Sequence, residues 1–269
     1  MEYLLREWYE SFHKGRIGRY MELAEAARSF SEEYFQGLYK RKLEAWLDWL
    51  AKNAMEEHWE DGSYSDSKRR AAFVSNFQAK LGTLERLLPA ELRAEIADLR
   101  VLALDVVSPE AAEVLERFCG ECMRRNEEIT KIRERNRALF LWKHPEKYEA
   151  SFARQMETLH DYRITDMRLA GRDFAMKFEY VNNFPEAVFK NCTIVKLDAD
   201  IIGAQWLYTD CFDVGCGYEI HALLHRNIYD GSDPLRELVI RAKEVKVNWK
   251  AISVKRYIRE QEKRQNRQA

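Results

Sequence analysis

The sequence predicts an α+β fold: a helical domain over residues 1–147, then a mainly antiparallel sheet domain over 148–269 that ends in a helix. Three observations predict it. Apolar residues recur at helical spacing from the N-terminus to about Tyr148. From His160 to Trp249 the period changes to two, in successive runs rich in β-branched and aromatic residues. Turn formers separate these runs: Gly171, Asn182-Asn183, Gly203, Gly215-Cys216-Gly217 and Asp230-Gly231. They tolerate positive φ or bond back onto the local backbone, which closes antiparallel pairs. No helix-length segment lies between the strands, so a meander is the simplest topology.

The helices follow in order. Phe30-Ser31-Glu32-Glu33 opens the first strong one, with Ser29 and Glu32 at capping-box spacing. Tyr34, Leu38, Leu43, Trp46, Leu47 and Leu50 form its apolar side, and Asp61-Gly62 stops it. A second helix carries Phe73, Phe77, Leu81, Leu84 and Leu88 inward and ends at Pro89. A third presents Leu92, Ile96, Leu99 and Leu102. Ser108-Pro109-Glu110 restarts the chain with a capping serine, a proline in the first turn and an acid near the positive helix end. This fourth helix continues to Lys143, before His144-Pro145. Its second half is so charged that only Ile129, Ile132 and Leu139 offer a thin apolar stripe, as in a helix with much of its surface in water.

Strand faces are read from alternation. Phe174, Met176, Phe178 and Tyr180 point one way, Lys177 and Glu179 the other. Tyr218, Ile220, Ala222 and Leu224 are expected inward, with Glu219, His221 and His225 on an open polar face. The apolar side needs a cover. The helix after Trp249 (Ile252, Val254, Tyr257 and Ile258) and the long fourth helix are candidates for it.

The totals narrow the class. With 46% hydrophobic residues the chain can fill a core, which excludes global disorder, and a net charge of −1 gives no general case for nucleic acid. Five cysteines, an odd number and not at framework spacing, point to a reducing compartment. No uncharged apolar stretch is long enough to span a membrane, and MEYLLREWYESF lacks the apolar core of a signal peptide. A cytoplasmic protein with no membrane partner is expected.

The chemistry-bearing motifs are thin. Cys119-Gly120-Glu121-Cys122 lies inside a predicted helix, not at the strand-to-helix junction of a redox pair, and no second ligand pair completes a zinc site. His221 and His225 lie four apart on a strand, too far for one ion. His160-Asp161 resembles the pair of metal phosphohydrolases; with Asp198 or Asp210 it gives an alternative reading as a hydrolase or metal enzyme. Phosphate cradles and nucleophile elbows are missing from the sequence. Neither a cofactor nor a metal is predicted. The basic tail, Lys250 through Arg267, gives a further alternative as a weak nucleic-acid binder. The Trp206-Leu207-Tyr208 segment is read as core.

Several blocks carry a resemblance: EWY from Glu7, FSEEYFQGLYKRKLEAWL from Phe30, EIADLRVLAL from Glu95, HDYRIT from His160, FKNCTI from Phe189, QWLYTD from Gln205 and YEIHALL from Tyr218. Together they are similar to a family of bacterial proteins with a domain of unknown function, over most of the chain. The β portion also resembles sheets of bacterial immunity proteins, which open on a similar His-Asp strand and neutralise toxins by binding. That likeness implies a non-catalytic protein-binding module with another protein, such as a toxin, as partner. The binding residues expected are Lys177, Glu179, His221 and His225 on the open sheet face, with His160 and Asp161.

Overall fold

The structure is a computed structural model and describes residues 3–56, 65–144, 152–181, 183–226 and 233–249. Its fold is α+β, helical in the N-terminal half and antiparallel sheet in the C-terminal half. Among the described residues one compact unit comprises residues 10–126 and another joins 3–9 to 127–226 and 234–249. The boundary expected at 147/148, the stop at Asp61-Gly62, the turn at Asp230-Gly231 and the C-terminal helix with its basic tail lie outside the described residues.

The helices are α1 (Leu5–Lys14), α2 (Glu32–Glu56), α3 (Asp66–Leu87), α4 (Ala90–Ala94), α5 (Leu99–Ala103) and α6 (Pro109–Lys143). In the helical unit two clusters form the core. Leu84, Leu88, Leu102 and Leu115 make one, and Phe35, Leu38, Val101 and Val106 the other. Phe35, Tyr39, Phe73 and Phe77 stack edge to face or tilted between α2 and α3. A short parallel pair, β1 (Glu22–Leu23) with β2 (Val106–Val107), was not legible in sequence.

Three local readings are corrected. The cap of α2 is Ser31, whose hydroxyl accepts from the Tyr34 amide at 3.2 Å, and not Ser29. The third helix is broken into α4 and α5, because the Asp98 side chain accepts from the Arg100 amide at 2.9 Å and caps a new start. His160-Asp161 sits in the turn before the first sheet strand, with Asp161 at a φ of 68°. By contrast, Ser108 caps α6 as expected, accepting from the Ala111 amide at 3.2 Å.

The sheet unit adds α7 (Phe152–Glu157) and eight strands: β3 (Arg163–Ala170), β4 (Asp173–Glu179), β5 (Glu186–Lys190), β6 (Thr193–Leu197), β7 (Gln205–Asp213), β8 (Tyr218–His225), β9 (Leu235–Ala242) and β10 (Glu244–Asn248). Every pairing is antiparallel, in the order β10-β5-β4-β3-β7-β8-β9-β6. Two meanders are present, but β6 leaves β5 and lies beside β9. The reason is in the register. Lys190 of β5 faces Glu244 of β10, and Thr193 of β6 faces Arg241 of β9, so the two pairs keep one register across the corner between them. Only Lys243 separates β9 from β10, and only Asn191 and Cys192 separate β5 from β6. Each pair is therefore a single bent strand, and the order returns on itself as a ring closed through this corner. Its weakest joint is between β3 and β7, which pair only at Arg163 and Gln205.

A closed sheet of this size fills its interior with side chains. Ile164, Phe174, Met176, Phe178, Phe189, Trp206, Ile220 and Ile240 do so, all buried, with Met156 and Leu159 from α7 and the turn after it. The inward assignment of Phe174, Met176, Phe178, Ile220, Ala222 and Leu224 agrees with the structure, as does Trp206 in the core. Tyr180 lies beyond the end of β4 and is exposed.

Candidate functional site

The outside of the sheet divides into two regions, and neither is the single open face expected. Over β8 the face is covered. Leu5 of α1 is buried with Leu223 and Leu235, and Trp8, Tyr9 and Tyr208 pack against them. Tyr3 lies with its ring 4.4 Å from that of His221. As a result Glu219 is 0% exposed and His221 3%. His225, at the end of the strand, is half-buried. Glu179 is buried too, and an exposed Arg163 donates to it at 3.1 Å. Lys177 is the one exposed member of the expected quartet, and it donates to Asp166 at 2.8 Å. Alternation located these side chains on the correct face, but a polar letter reads the same whether water or a helix lies over it.

Glu219 and His221 form a buried pair that the exposed Arg241 reaches from outside. His221 Nε2 lies 2.8 Å from Glu219 Oε1, and Arg241 Nε–H donates to the other carboxylate oxygen. Burial pushes the His221 imidazole below its usual value, outweighing the Glu219 hydrogen bond that pulls it up. Burial pulls the Glu219 carboxyl up, but the bonds from His221 and Arg241 outweigh it and hold it below the ordinary range. Both shifts act in one direction. An unfolded histidine takes its proton near pH 6.5 and the folded one lower, so the unfolded chain binds more protons as pH falls through that window. The Glu219 contribution is present above the unfolded carboxylate value and is lost as pH falls through the lower folded one. Stability measured by urea titration is therefore expected to decline from about pH 6.5 downward. His221→Gln should flatten the upper part of that decline and leave the lower part. An unchanged slope between pH 6.5 and 5 in the variant would show that His221 does not carry it.

A cavity of about 170 Å³ lies between the second half of α6, α7, Trp8 and the side of β7 that β3 leaves unpaired. The α6 residues at successive spacings of four, three and four, Ile129, Arg133, Asn136 and Phe140, face this side, with Ile129 and Phe140 buried. Arg133 forks onto Asp210, Nε to Oδ2 at 3.0 Å and Nη2 to Oδ1 at 2.8 Å. The guanidinium stacks 4.2 Å from the Trp8 ring, and the Trp8 indole N–H donates to Thr130 Oγ1 at 3.0 Å. Burial pushes the Cys211 thiol far above its usual value, which opposes the thiolate that reactive chemistry needs. With Arg133 paired to Asp210, Arg137 to Glu157 and a volume below that of ordinary small-molecule pockets, the cavity reads as the seam joining α6 and β7.

The residues of the enzymatic reading are not brought together. Of His160, Asp161, Asp198 and Asp210, only Asp210 lines this cavity. His160 Nδ1–H donates to the Leu207 carbonyl, and its Nε2 is 3.7 Å from Asp161, both side chains being exposed. Asp198 accepts from the Glu237 amide at 2.8 Å, closing the β6–β9 pair. Among the described residues no three histidine, cysteine or acidic side chains converge on a metal position, and no helix is long and apolar enough to cross a membrane. In the helical unit Cys119 is buried and its Sγ–H donates to the Lys14 carbonyl at 3.4 Å. Burial raises both the Cys119 and the Cys122 thiol.

The feature that sequence reasoning misassigned is on the far side of α6. Ile132, Leu139 and Trp142 are 38%, 50% and 77% exposed. Helical spacing groups Ile129, Ile132 and Leu139 as one stripe, whereas the structure turns Ile129 inward with Phe140 and leaves the other two outside. Trp142 was the available signal: it follows Ile132 and Leu139 at ten and three residues, on their side of the helix.

A scan against protein-family models, a search of curated proteins and a search of solved structures each return no match.

Proposed function

We propose that this chain is a non-catalytic protein-binding module, immunity-like in that binding is itself the function, with a toxin as the class of partner that fits such a role. The observation that carries the reading is the exposed apolar stripe of Ile132, Leu139 and Trp142 on a helix that turns Ile129 and Phe140 into the protein on another side. Exposed apolar clusters of this kind mark interaction surfaces, and tryptophan is the residue most enriched among those that dominate binding energy. The charges on the outside of β3 and β4 pair with one another, Lys177 with Asp166 and Arg163 with Glu179, which weakens that face as the primary contact.

The test places a photo-crosslinking residue at Leu139, and in a second preparation at Lys177, in the chain expressed in the cell that produces it. The expected result is one discrete protein adduct at position 139 that Trp142→Ala removes. No adduct at 139, or the same adduct from 177 alone, would contradict the reading.

A further inference from the structure

The stripe on α6 is flanked by the basic residues Lys131, Arg135 and Lys143. Ile132, Arg135, Leu139 and Trp142 follow one another at spacings of three, four and three, which is the seam that a neighbouring helix packs into. Lys131 and Arg135 are exposed here and make no ion pair among the described residues, whereas Arg133 and Arg137, further round the helix, are held by Asp210 and Glu157. Lys143, beside Trp142, is half exposed and only 3.9 Å from Asp213. The acid nearest the stripe, Glu128, already has a partner, and Glu134 lies toward the cavity side. An apolar seam about 15 Å long with the exposed bases Lys131 and Arg135 along it selects for a complement of opposite charge.

We propose that this face of α6 docks an acidic amphipathic helix of a partner protein, with leucine-like residues seated between Ile132, Leu139 and Trp142 and carboxylates against Lys131, Arg135 and Lys143. The proposal rests on the protein-binding reading above and supplies the chemistry of the partner. A second copy of this chain is disfavoured, because antiparallel pairing of two such faces sets Lys131 and Arg135 near Lys143 and Arg135 of the other copy without acids between them.

The probe is a synthetic heptad peptide with leucine at the seam positions and glutamate at the flanking ones, which repels its own copies. Its counterpart carries lysine in place of glutamate. Fluorescence anisotropy with the full chain should show binding of the acidic peptide that weakens as salt rises. Leu139→Ala with Trp142→Ala should weaken it by about tenfold or more, and Arg135→Glu by about tenfold. All three side chains are exposed, so the thermal midpoint is expected to stay constant and serves as the folding control. The proposal is overturned if the lysine peptide binds equally well, if neither peptide binds, or if the double variant binds unchanged. It is also overturned if vesicles containing phosphatidylserine bind in place of the peptide, or if the chain dimerises through this face. An adduct at Leu139 without peptide binding would leave the surface standing and refute the partner chemistry alone.

Discussion

Trp206→Ala is expected to destabilise the sheet unit by about 4 kcal/mol, the range for truncating a fully buried aromatic residue. Trp206 is 0% exposed at the joint where β3 meets β7. Its ring meets Phe178 edge-on at 5.4 Å, and its indole N–H donates to Thr209 Oγ1 at 2.7 Å. The backbone at this residue also holds the joint: its amide donates to the Tyr162 carbonyl, and its carbonyl accepts from the Asp161 amide, both at 2.8 Å. Alanine thus opens a large void where the ring of strands has fewest ladder bonds to resist collapse. Urea denaturation of the variant should show the shift, while Trp142→Ala should stay within about 0.5 kcal/mol of the parent chain. Similar losses for both tryptophans would refute the contrast between a hidden and an exposed indole.

The second large effect is at Gly217. A Cβ there would lie 2.3 Å from the Ala242 carbonyl oxygen and 2.9 Å from Lys243 Cα, where β9 bends into β10. These are backbone atoms that no rotamer change can move. Gly217→Ala is expected to cost about 3 kcal/mol through displacement of the corner. Gly215→Ala provides the comparison, with a φ of 80° but open space around its Cβ; it should cost about 1 kcal/mol. Equal, small effects at both glycines would mean that the corner does not close the sheet as described.

These two sites also show what could be read from the sequence. The glycine triplet was legible as a turn, and Trp206 as core, because turn chemistry and aromatic density are local signals. Closure of the sheet was not legible. It depends on a ladder between residues 186–197 and 238–248, and nothing in either segment names the other. The cover over Glu219 and His221 was hidden for the same reason. Tyr3, Leu5 and Trp8 are remote in sequence from β8, and the EWY block carried no mark of where it packs. On α6 the difficulty was different. Ile129 and Ile132 both satisfy helical spacing, and only the tertiary contacts of Ile129 and Phe140 decide which stripe is inside.

The proposed binding function is tested by which tryptophan responds to a partner. The chain has seven, and each gives an indole N–H signal in a ¹⁵N-labelled sample. Titrated with the glutamate peptide, or with the partner crosslinked at Leu139, the Trp142 signal is predicted to shift while those of Trp206 and Trp8 stay fixed. A fixed Trp142 signal with a moving Trp8 would relocate binding to the cavity beside Arg133 and contradict the account.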